Sequence, residues 1–463
     1  MAQFGLRGDG ALNVTGMAQS SDSHAAEPVA AQEPVVLPDA EATPVEGPAE
    51  EAAADEQQTA QPPRPYALVL FGASGFVGRQ AAQYLAQHAD MAGRPWAIAG
   101  RNRGRLEAVQ ARCSGQVPDI VLANSRDTLS IDTLASCTDV LISTAGPFAV
   151  LGNELVAACV RQRTHYVDIT GETPWVRDLI ARHHAHAAEE GIRIVPMCGF
   201  DSVPSDLAAF LAHTTLMQRY GEPAYRVKAA YQVRGGFNGG TLASMFQLFE
   251  SGEARMLTDP FLLNPPGMRP FNGPQHADAS SPRWDEDLGH WLAPFYMAPI
   301  NSRVVRRSAA LQGFSPDFAY REYLQTGAGL GGALAAGSLS FAEMVTQAAL
   351  NWAFLRHVIR SYAPAPGTGP SEEAMNSGGF DCEWFARSAS GKKVRGHIAD
   401  RGDPGNRGTT KMVCESALAL VVNREELPAG SAMGGVLTPA SAFGDVLVRR
   451  LRAAGMQIRV NPT

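Results

Sequence analysis

Tyr66-Ala-Leu-Val-Leu-Phe-Gly72-Ala-Ser-Gly75-Phe-Val-Gly78 is the stretch that decides the fold of this 463-residue chain. A wholly apolar run, three glycines at GxxGxxG spacing and a helical pattern follow one another, which is typical of a dinucleotide-binding βα unit. Gly72 would allow the tight turn, Gly75 the approach of a pyrophosphate to the helix N-terminus, and Gly78 the packing of helix on strand. We therefore predict a phosphate-binding loop made of Gly72, Ala73, Ser74, Gly75, Phe76, Val77 and Gly78.

Strand and helix patterns alternate from Tyr66 to about residue 200. The apolar runs predict strands at 66–71, 95–99, 118–122, 139–143, 165–169 and 192–197. Between them, helical periodicity is clearest at 79–89, 151–163 and 176–190. This alternation predicts an α/β fold with a doubly wound Rossmann dinucleotide-binding domain.

The pattern changes after about residue 223, where long Gly/Pro-rich loops separate strand patterns at 225–233, 380–386 and 394–398. An inserted α+β second domain is the simplest interpretation. Two helices are predicted near the C-terminus, at 409–422 and from Thr438-Pro439 to just before Gly455. The predicted organisation is a disordered acidic tail (1–64), a Rossmann domain (65–205), an α+β substrate domain (206–407) and C-terminal helices that pack back on the Rossmann domain (408–463).

Charge is unevenly distributed along the chain. Residues 1–64 contain eleven acids and two arginines, a net charge of −9, whereas the remaining 399 residues carry +2. The acidic, Pro- and Ala-rich composition of 1–64 predicts disorder. A nearly neutral body disfavours nucleic-acid binding, which needs a basic face. Six scattered cysteines without a CxxC pair disfavour a metal site or a disulfide framework, and no secretory signal pattern opens the chain, so we expect a cytoplasmic protein.

The end of the second predicted strand indicates the cofactor. An NAD site would place an acid there, but Arg101 stands 23 positions after Gly78, followed by Asn102 and Arg103. A cation at this position suits the 2′-phosphate of NADP. The fourth predicted strand leads into a loop that should lie beside the cofactor, at Thr144, Ala145, Gly146 and Pro147.

Two further strand ends carry polar side chains that could handle a proton near the nicotinamide. Tyr166 could donate directly, and Asp201 could orient a water molecule or the substrate. Helix capping by Asp201 and its neighbouring serines is an equally open interpretation.

Several sequence blocks together resemble the saccharopine dehydrogenase-like oxidoreductases, and within them the trans-acting enoyl reductase branch. The blocks are 72–78, 99–102, 143–148, 166–172, 198–205, 239–241, 366–373, 403–405 and 434–441. The resemblance implies a Rossmann domain with an inserted α+β domain, NADP as cofactor, and reduction of a C=C bond in a lipid or polyketide-derived chain. Asn406 departs from the pattern, because Tyr is common after Asp-Pro-Gly.

Other functions stay open at this point. A short-chain dehydrogenase needs a Tyr-x-x-x-Lys pair, and none of the four lysines lies four residues after a tyrosine. A saccharopine-type C–N oxidoreductase would need several cations in the substrate domain, which six arginines could supply: Arg226, Arg234, Arg255, Arg303, Arg306 and Arg307. A non-catalytic NADPH-binding regulator is the third hypothesis. The group His183, His184 and His186 is interpreted as a solvated helix face rather than a metal site.

Residues 323–342 contain no charge, and Met344–Ile359 has an amphipathic pattern. Five glycines make the first segment only weakly apolar, so a buried helix or a mobile loop over a lipid-binding groove is favoured over a membrane span. We expect a small-molecule or lipid substrate. Further partner hypotheses are contact of residues 323–360 with a membrane surface and a homodimer.

Overall fold

A computed structural model describes residues 63–236, 238–270, 273–362, 364–365 and 367–461. The predicted tail, apart from its last two residues, lies outside these ranges. Within them the strands are β1 Tyr66–Phe71, β2 Trp96–Gly100, β3 Asp119–Leu122, β4 Thr138–Ser143, β5 His165–Asp168, β6 Arg193–Val195, β7 Arg226–Arg234, β8 Arg283–Asp285, β9 His290–Pro294, β10 Ala319–Gly327, β11 Gly379–Arg387, β12 Lys393–Arg401, β13 Gly435–Val436 and β14 Gln457–Asn461. The α-helices are α1 Phe76–Gln87, α2 Arg103–Gln110, α3 Thr128–Ser136, α4 Phe148–Leu151, α5 Asn153–Arg161, α6 Thr173–Glu189, α7 Val203–Tyr220, α8 Gly239–Glu250, α9 Ala298–Leu311, α10 Gly329–Asn351, α11 Ala353–Tyr362, α12 Glu372–Ser377, α13 Thr409–Val422 and α14 Pro439–Ala453.

The first sheet is parallel and has the order β13-β6-β5-β4-β1-β2-β3. The strand order reverses between β1 and β4, so loops at their carboxyl ends frame a crevice at the switch point. The central strands are apolar and buried on both faces, as expected of a sheet covered by helices on each side. The predicted doubly wound fold is confirmed, and the six predicted strands are present with ends that differ by at most two residues.

The second sheet is mixed and has the order β14-β12-β11-β7-β10-β9-β8. Only the β7–β10 pair is parallel, and β7 is also paired with β11 in antiparallel register. Helices α7 and α9 pack against one another behind this sheet, and Tyr231 of β7 shares a core with Leu207 of α7.

The C-terminal segment contributes to both sheets. The two predicted helices are α13 and α14, and α13 packs against α1 and β4. Two short strands were not predicted there: β13 extends the first sheet beside β6, and β14 pairs with β12 in the second. Two- and five-residue strands carry too little periodicity to be recognised from one sequence. Arg64, which the sequence assigns to the tail, donates a hydrogen bond of 2.6 Å to Thr164 and therefore lies with the body.

Residues 323–351 differ from the expectation of a buried helix or a mobile loop. They form the end of β10 and the 23-residue helix α10, whose outward face is apolar and exposed. Leu330 is 85% and Leu334 74% exposed, and Phe354 of α11 is 74% exposed. The uncharged composition reflects an exposed apolar face rather than burial. None of the helices in the described ranges combines the length and hydropathy that a membrane crossing requires.

Candidate functional site

The loop between β1 and α1 has the close packing that its glycines predict. Gly72 has a φ of +83°, and a Cβ there would stand 2.9 Å from the amide nitrogen of Ala145. A Cβ at Gly78 would stand 2.3 Å from the carbonyl oxygen of Gly72. Gly75 precedes α1, and no side chain caps this helix, so its first amide groups remain available to a phosphate. The geometry fits a dinucleotide pyrophosphate.

The predicted β4 loop lies directly against this glycine loop. The Thr144 hydroxyl is 3.2 Å from the Phe71 carbonyl oxygen and 3.1 Å from that of Gly72. The Thr144 amide donates to the Phe71 carbonyl at 3.0 Å. After Ala145, a cis Gly146-Pro147 peptide leads into α4. The two loops therefore form one continuous edge at the switch point.

Arg101 is the first residue after β2 and is exposed. Among the described residues its guanidinium has no hydrogen-bond or ion-pair partner. Asn102 begins α2 as its N-cap and accepts a 3.0 Å hydrogen bond from the Arg105 amide, so its side-chain oxygen has a structural role. An unpaired cation beside the glycine loop fits the 2′-phosphate of NADP.

A short segment near residue 368 crosses the glycine loop. Arg79 donates to the carbonyl oxygens of Ser74 at 3.2 Å and of Gly367 at 3.3 Å. A Cβ at Gly369 would stand 2.7 Å from the Phe76 ring. This segment, together with the N-terminus of α8, forms the wall of the crevice opposite the first sheet.

Glu172 joins the β4 loop to the second half of the molecule, a role the sequence did not reveal. Its buried carboxylate accepts hydrogen bonds of 2.8 Å from the amides of Phe148 and Ala149. Ser244 of α8 donates to the same carboxylate at 2.6 Å. Three donors on one carboxylate fix α8 beside the cofactor-binding loops.

Asp201 lies in the loop after β6, at the same edge of the first sheet. Asp201 is half-buried, its carboxylate lies beside Gly171, and it has no hydrogen-bond or ion-pair partner among the described residues. Burial raises the pKa of Asp201 to about 6. It does not cap α7, because the N-cap residue is Ser202 and no side-chain cap bond forms.

Tyr296, in the irregular segment between β9 and α9, faces the same region. Burial and the charges of Asp201 and Asp403 raise the pKa of its phenol, so the hydroxyl is protonated at neutral pH. The Asp403 carboxylate accepts from the Gly236 amide at 2.6 Å and from the Asn406 side chain at 2.9 Å. Tyr296 could not be recognised from the sequence, because residues 260–300 have no clear period.

Asn406 connects two loops of the site. Its side-chain oxygen accepts a 2.9 Å hydrogen bond from Asn238, and Asn238 caps α8 by accepting from the amides of Gly240 and Thr241. The departure from Tyr at this position therefore places a small, fully buried amide in the crevice wall. The Asn-Gly-Gly-Thr sequence is a recognisable helix N-cap signal that could have located Asn238.

Tyr166 lies on β5 within the core of the first sheet and has no exposed surface. Its hydroxyl makes no hydrogen bond among the described residues, and its polar neighbours are Ser143 and Asp168. Burial also raises the pKa of Asp168 to about 7. Direct proton donation by Tyr166 stays a prediction. Unlike the fully buried Tyr166, Asp201 borders the crevice.

The arginines of the C–N oxidoreductase hypothesis do not line this site as a group. Arg303, Arg306 and Arg307 of α9 are 1–2% exposed. They donate to backbone carbonyl oxygens, including those of Asp259, Tyr320 and Val436. These arginines hold loops together.

The histidine group on α6 has a structural contact as well. His184 accepts a hydrogen bond from the Val436 amide at 3.1 Å, and no cluster of three metal-ligating side chains occurs within the described ranges.

Comparison with known proteins identifies related chains. Residues 68–195 match the family model of the saccharopine dehydrogenase NADP-binding domain. A Mycobacterium tuberculosis protein named as a trans-acting enoyl reductase is 37% identical over 424 residues, covering 86% of this chain and 98% of its own. A trans-acting enoyl reductase of Mycobacterium bovis is 33% identical over 412 residues, covering 85% and 97%. A saccharopine dehydrogenase structure from Saccharomyces cerevisiae has a TM-score of 0.49 at 13% identity, covering 86% of this chain and 99% of that one.

The matches in sequence confirm three predictions: the resemblance itself, NADP as the cofactor, and the class of NADP-dependent oxidoreductase. The individual cofactor-binding and catalytic residues stay predictions, which the geometry described above fits.

Proposed function

This chain belongs to the trans-acting enoyl reductase family, and on that premise we propose that it reduces a C=C bond of a lipid or polyketide-derived chain. The observation that carries the proposal is the juxtaposition of three elements at one crevice: the glycine loop, the half-buried carboxylate of Asp201 and the apolar helix α8. The reaction requires a hydride donor, a source of a proton and an apolar substrate chain at one place, and these three elements would provide for each of them.

The residues proposed to hold NADPH follow the predicted set. The amides at the start of α1 face the pyrophosphate, Arg101 pairs with the 2′-phosphate, and the loop Thr144–Pro147 borders the nicotinamide. When bound, NADPH supplies a hydride to the β-carbon of the conjugated double bond and becomes NADP⁺. The chain itself has to supply the proton that the α-carbon then takes up.

Tyr296 is the proposed proton donor, and Asp201 is its proposed positioning residue. A phenol that is protonated at neutral pH can give its proton to the carbanion-like α-carbon. The Asp201 carboxylate, in its charged form, would orient the hydroxyl or a water molecule that restores the proton. Tyr166 has no exposed surface with which to touch a substrate in this conformation, so Tyr296 is proposed as the donor in its place.

Helices α8, α10 and α11 are proposed to receive the apolar part of the substrate. Arg360 of α11 pairs with Glu250 of α8 at 2.6 Å and lies over the Phe246 ring at 5.8 Å. Through Ser244 and Glu172, α8 is in turn fixed to the cofactor loops. We propose that a long acyl chain would extend from the crevice along α8 toward α10 and α11.

We also propose that α10 and α11 rest on a membrane surface. The outward face of α10 carries Leu330, Leu334, Phe341 and Val345 and no charge. In α11 the apolar residues occupy one face, and Arg356, His357 and Arg360 occupy the other. An apolar face beside basic residues is the pattern of a helix that lies in the interface of a bilayer containing anionic lipids.

The experiment that tests the function is NADPH oxidation by the purified full chain, followed at 340 nm with a panel of α,β-unsaturated acyl thioesters and lipids. We expect turnover with enoyl substrates and a saturated product by mass spectrometry. Turnover confined to 2-oxoglutarate with lysine would instead support the C–N oxidoreductase. Tight NADPH binding without turnover of either class would support the non-catalytic regulator.

A further inference from the structure

A cationic pocket of about 260 Å³ lies on the outer face of the second sheet, away from the cofactor crevice. Residues 227, 229 and 231 of β7 point into the core behind the sheet, so residues 226 and 228 point to the opposite face. Five cations line the pocket: Arg226, Lys228, Arg283, Arg321 and Arg387. Two carboxylates, Asp285 and Asp287, accompany them. The pocket therefore carries an excess of three positive charges.

Like charges stand directly opposite one another across two strand pairs. Arg387 of β11 is the register partner of Arg226 on β7, and Arg321 of β10 is the partner of Lys228. Directly opposed like charges destabilise a strand pair. Such an arrangement is favourable when an anion neutralises it.

The second of these pairs is compensated within the protein. Lys228 donates hydrogen bonds of 2.6 Å to Asp285 and to Asp287. Arg321 donates to the carbonyl oxygen of Ala277 at 3.0 Å and also to that of Pro274. Both carboxylates are thus already engaged by Lys228.

The first pair is not compensated. Arg226, Arg387 and the nearby Arg283 of β8 are exposed, and among the described residues none of them has an acidic partner. Arg226 rests on the Tyr225 ring, with its guanidinium carbon 5.2 Å from the ring centroid, which holds it in place and leaves its donors open. Three planar guanidiniums from three strands converge on one pocket, and guanidinium is the side chain best suited to bidentate phosphate binding.

We propose that this pocket binds the phosphate group of a soluble phosphate ester or diphosphate, at a site separate from the NADPH site. The volume accommodates a diphosphate, and Arg226, Arg283 and Arg387 supply positive charges that no acidic side chain among the described residues balances. A lipid phosphate would offer the same chemistry, so the test distinguishes a soluble ligand from a headgroup.

The experiment is isothermal titration of the full chain with inorganic pyrophosphate in the presence of saturating NADPH. The bound NADPH keeps pyrophosphate out of the cofactor site. We expect one further site per chain, weakened by added salt. The double variant Arg226→Ala/Arg387→Ala should weaken binding about tenfold or more, since two charge-assisted contacts are lost. Arg459→Ala, an exposed arginine of the same sheet that does not line the pocket, should leave binding unchanged.

A second measurement keeps the proposal independent of folding defects in the double variant. Arg387→Gln alone should raise the melting temperature of the pyrophosphate-free protein, because it removes the like-charge pair, and should abolish most of the rise that pyrophosphate causes in the parent. Absence of a second pyrophosphate site in the NADPH-saturated protein would overturn the proposal, as would an equal loss in Arg459→Ala. Binding only to vesicles of phosphatidic acid, and not to pyrophosphate, would also overturn the soluble-ligand assignment.

Discussion

Ser244 donates a hydrogen bond of 2.6 Å to Glu172, and this contact joins α8, which belongs to the second half of the fold, to the loops of the first sheet. The same carboxylate holds the first two amides of α4. A displacement of α8 would therefore disturb the loop after β4, which borders the cofactor. Glu172 therefore connects the crevice wall at α8 directly to the loop after β4.

Replacing Arg101 should weaken NADPH binding and spare NADH. The guanidinium follows β2 and has no partner among the described residues, so Arg101→Ala should remove only the proposed contact to the 2′-phosphate. We expect the dissociation constant for NADPH to rise about tenfold or more, measured by titration of the cofactor's fluorescence. Arg105→Ala, an exposed arginine on α2, is the matched control and should change neither constant. Equal weakening of both cofactors in Arg101→Ala would contradict the assignment.

Tyr296→Phe should reduce kcat strongly while the protein remains folded. Removal of a general acid typically costs a factor of about 10²–10⁴, and the ring itself is retained. Tyr166→Phe is the comparison: it removes a buried hydroxyl that has no hydrogen-bond partner among the described residues, so its effect on stability should stay within about 1 kcal/mol. Both variants are assayed for kcat with the best enoyl substrate and for thermal unfolding. A larger loss of kcat in Tyr166→Phe would restore Tyr166 as the donor.

The cofactor-binding part of the site could be predicted from the sequence, whereas the proposed proton donor could not. The glycine loop, Arg101 and the loop Thr144–Pro147 follow strands with strong apolar patterns, so their position at the switch point could be predicted. Tyr296 lies in the short connection between β9 and α9, and its approach to Asp201 depends on how the second half of the fold packs against the first. Such long-range packing leaves no local period in the sequence. The strand β10 was not predicted either, because its last residues belong to the uncharged stretch that continues into α10.

The pH dependence of kcat should report Asp201. Burial raises its pKa to about 6, and the proposed positioning role uses the charged form. The rate should therefore fall as the pH decreases through about 6 and level off above it. Asp201→Asn should lower kcat and remove this acidic limb, measured between pH 5 and 8 with saturating NADPH and substrate. An unchanged limb in Asp201→Asn would assign the titration to another group.

Asp206 should make the protein less stable as the pH rises. Its carboxylate is fully buried and accepts a 2.7 Å hydrogen bond from the Ala440 amide, and burial raises its pKa from 3.8 to about 7. Because the folded pKa is the higher one, the protonated form favours folding. Its stabilising contribution is complete below about pH 4 and is lost as the pH rises through 7.

Asp206→Asn should therefore flatten the dependence of the free energy of unfolding on pH between 5 and 8, by about 1–3 kcal/mol over that range. The amide oxygen can still accept from Ala440. Urea unfolding at several pH values measures the slope, and Asp445→Asn, on the exposed side of α14, serves as control. Buried Asp168 and Glu322 shift in the same direction, so part of the slope should persist. Parallel curves for parent and Asp206→Asn would refute the prediction.

Charges placed on the apolar face of α10 and α11 should abolish binding to lipid vesicles. Phe341 is 64% and Phe354 74% exposed, so the double variant Phe341→Glu/Phe354→Glu should fold normally. Burial of one such side chain in the interface contributes about 1.5–3 kcal/mol, and each carboxylate would additionally be repelled by anionic lipids. We expect the parent to co-sediment with vesicles containing phosphatidylglycerol and the double variant to remain in the supernatant.

Leu129→Glu is the matched control for this experiment, because Leu129 is 76% exposed on α3, outside the two helices. It should bind vesicles like the parent. Sedimentation analysis without lipid separates the membrane from a second copy of the chain as the occupant of this face. A dimer in the parent that dissociates in Phe341→Glu/Phe354→Glu, together with no vesicle binding by either protein, would show that the face is a subunit interface and would overturn membrane docking.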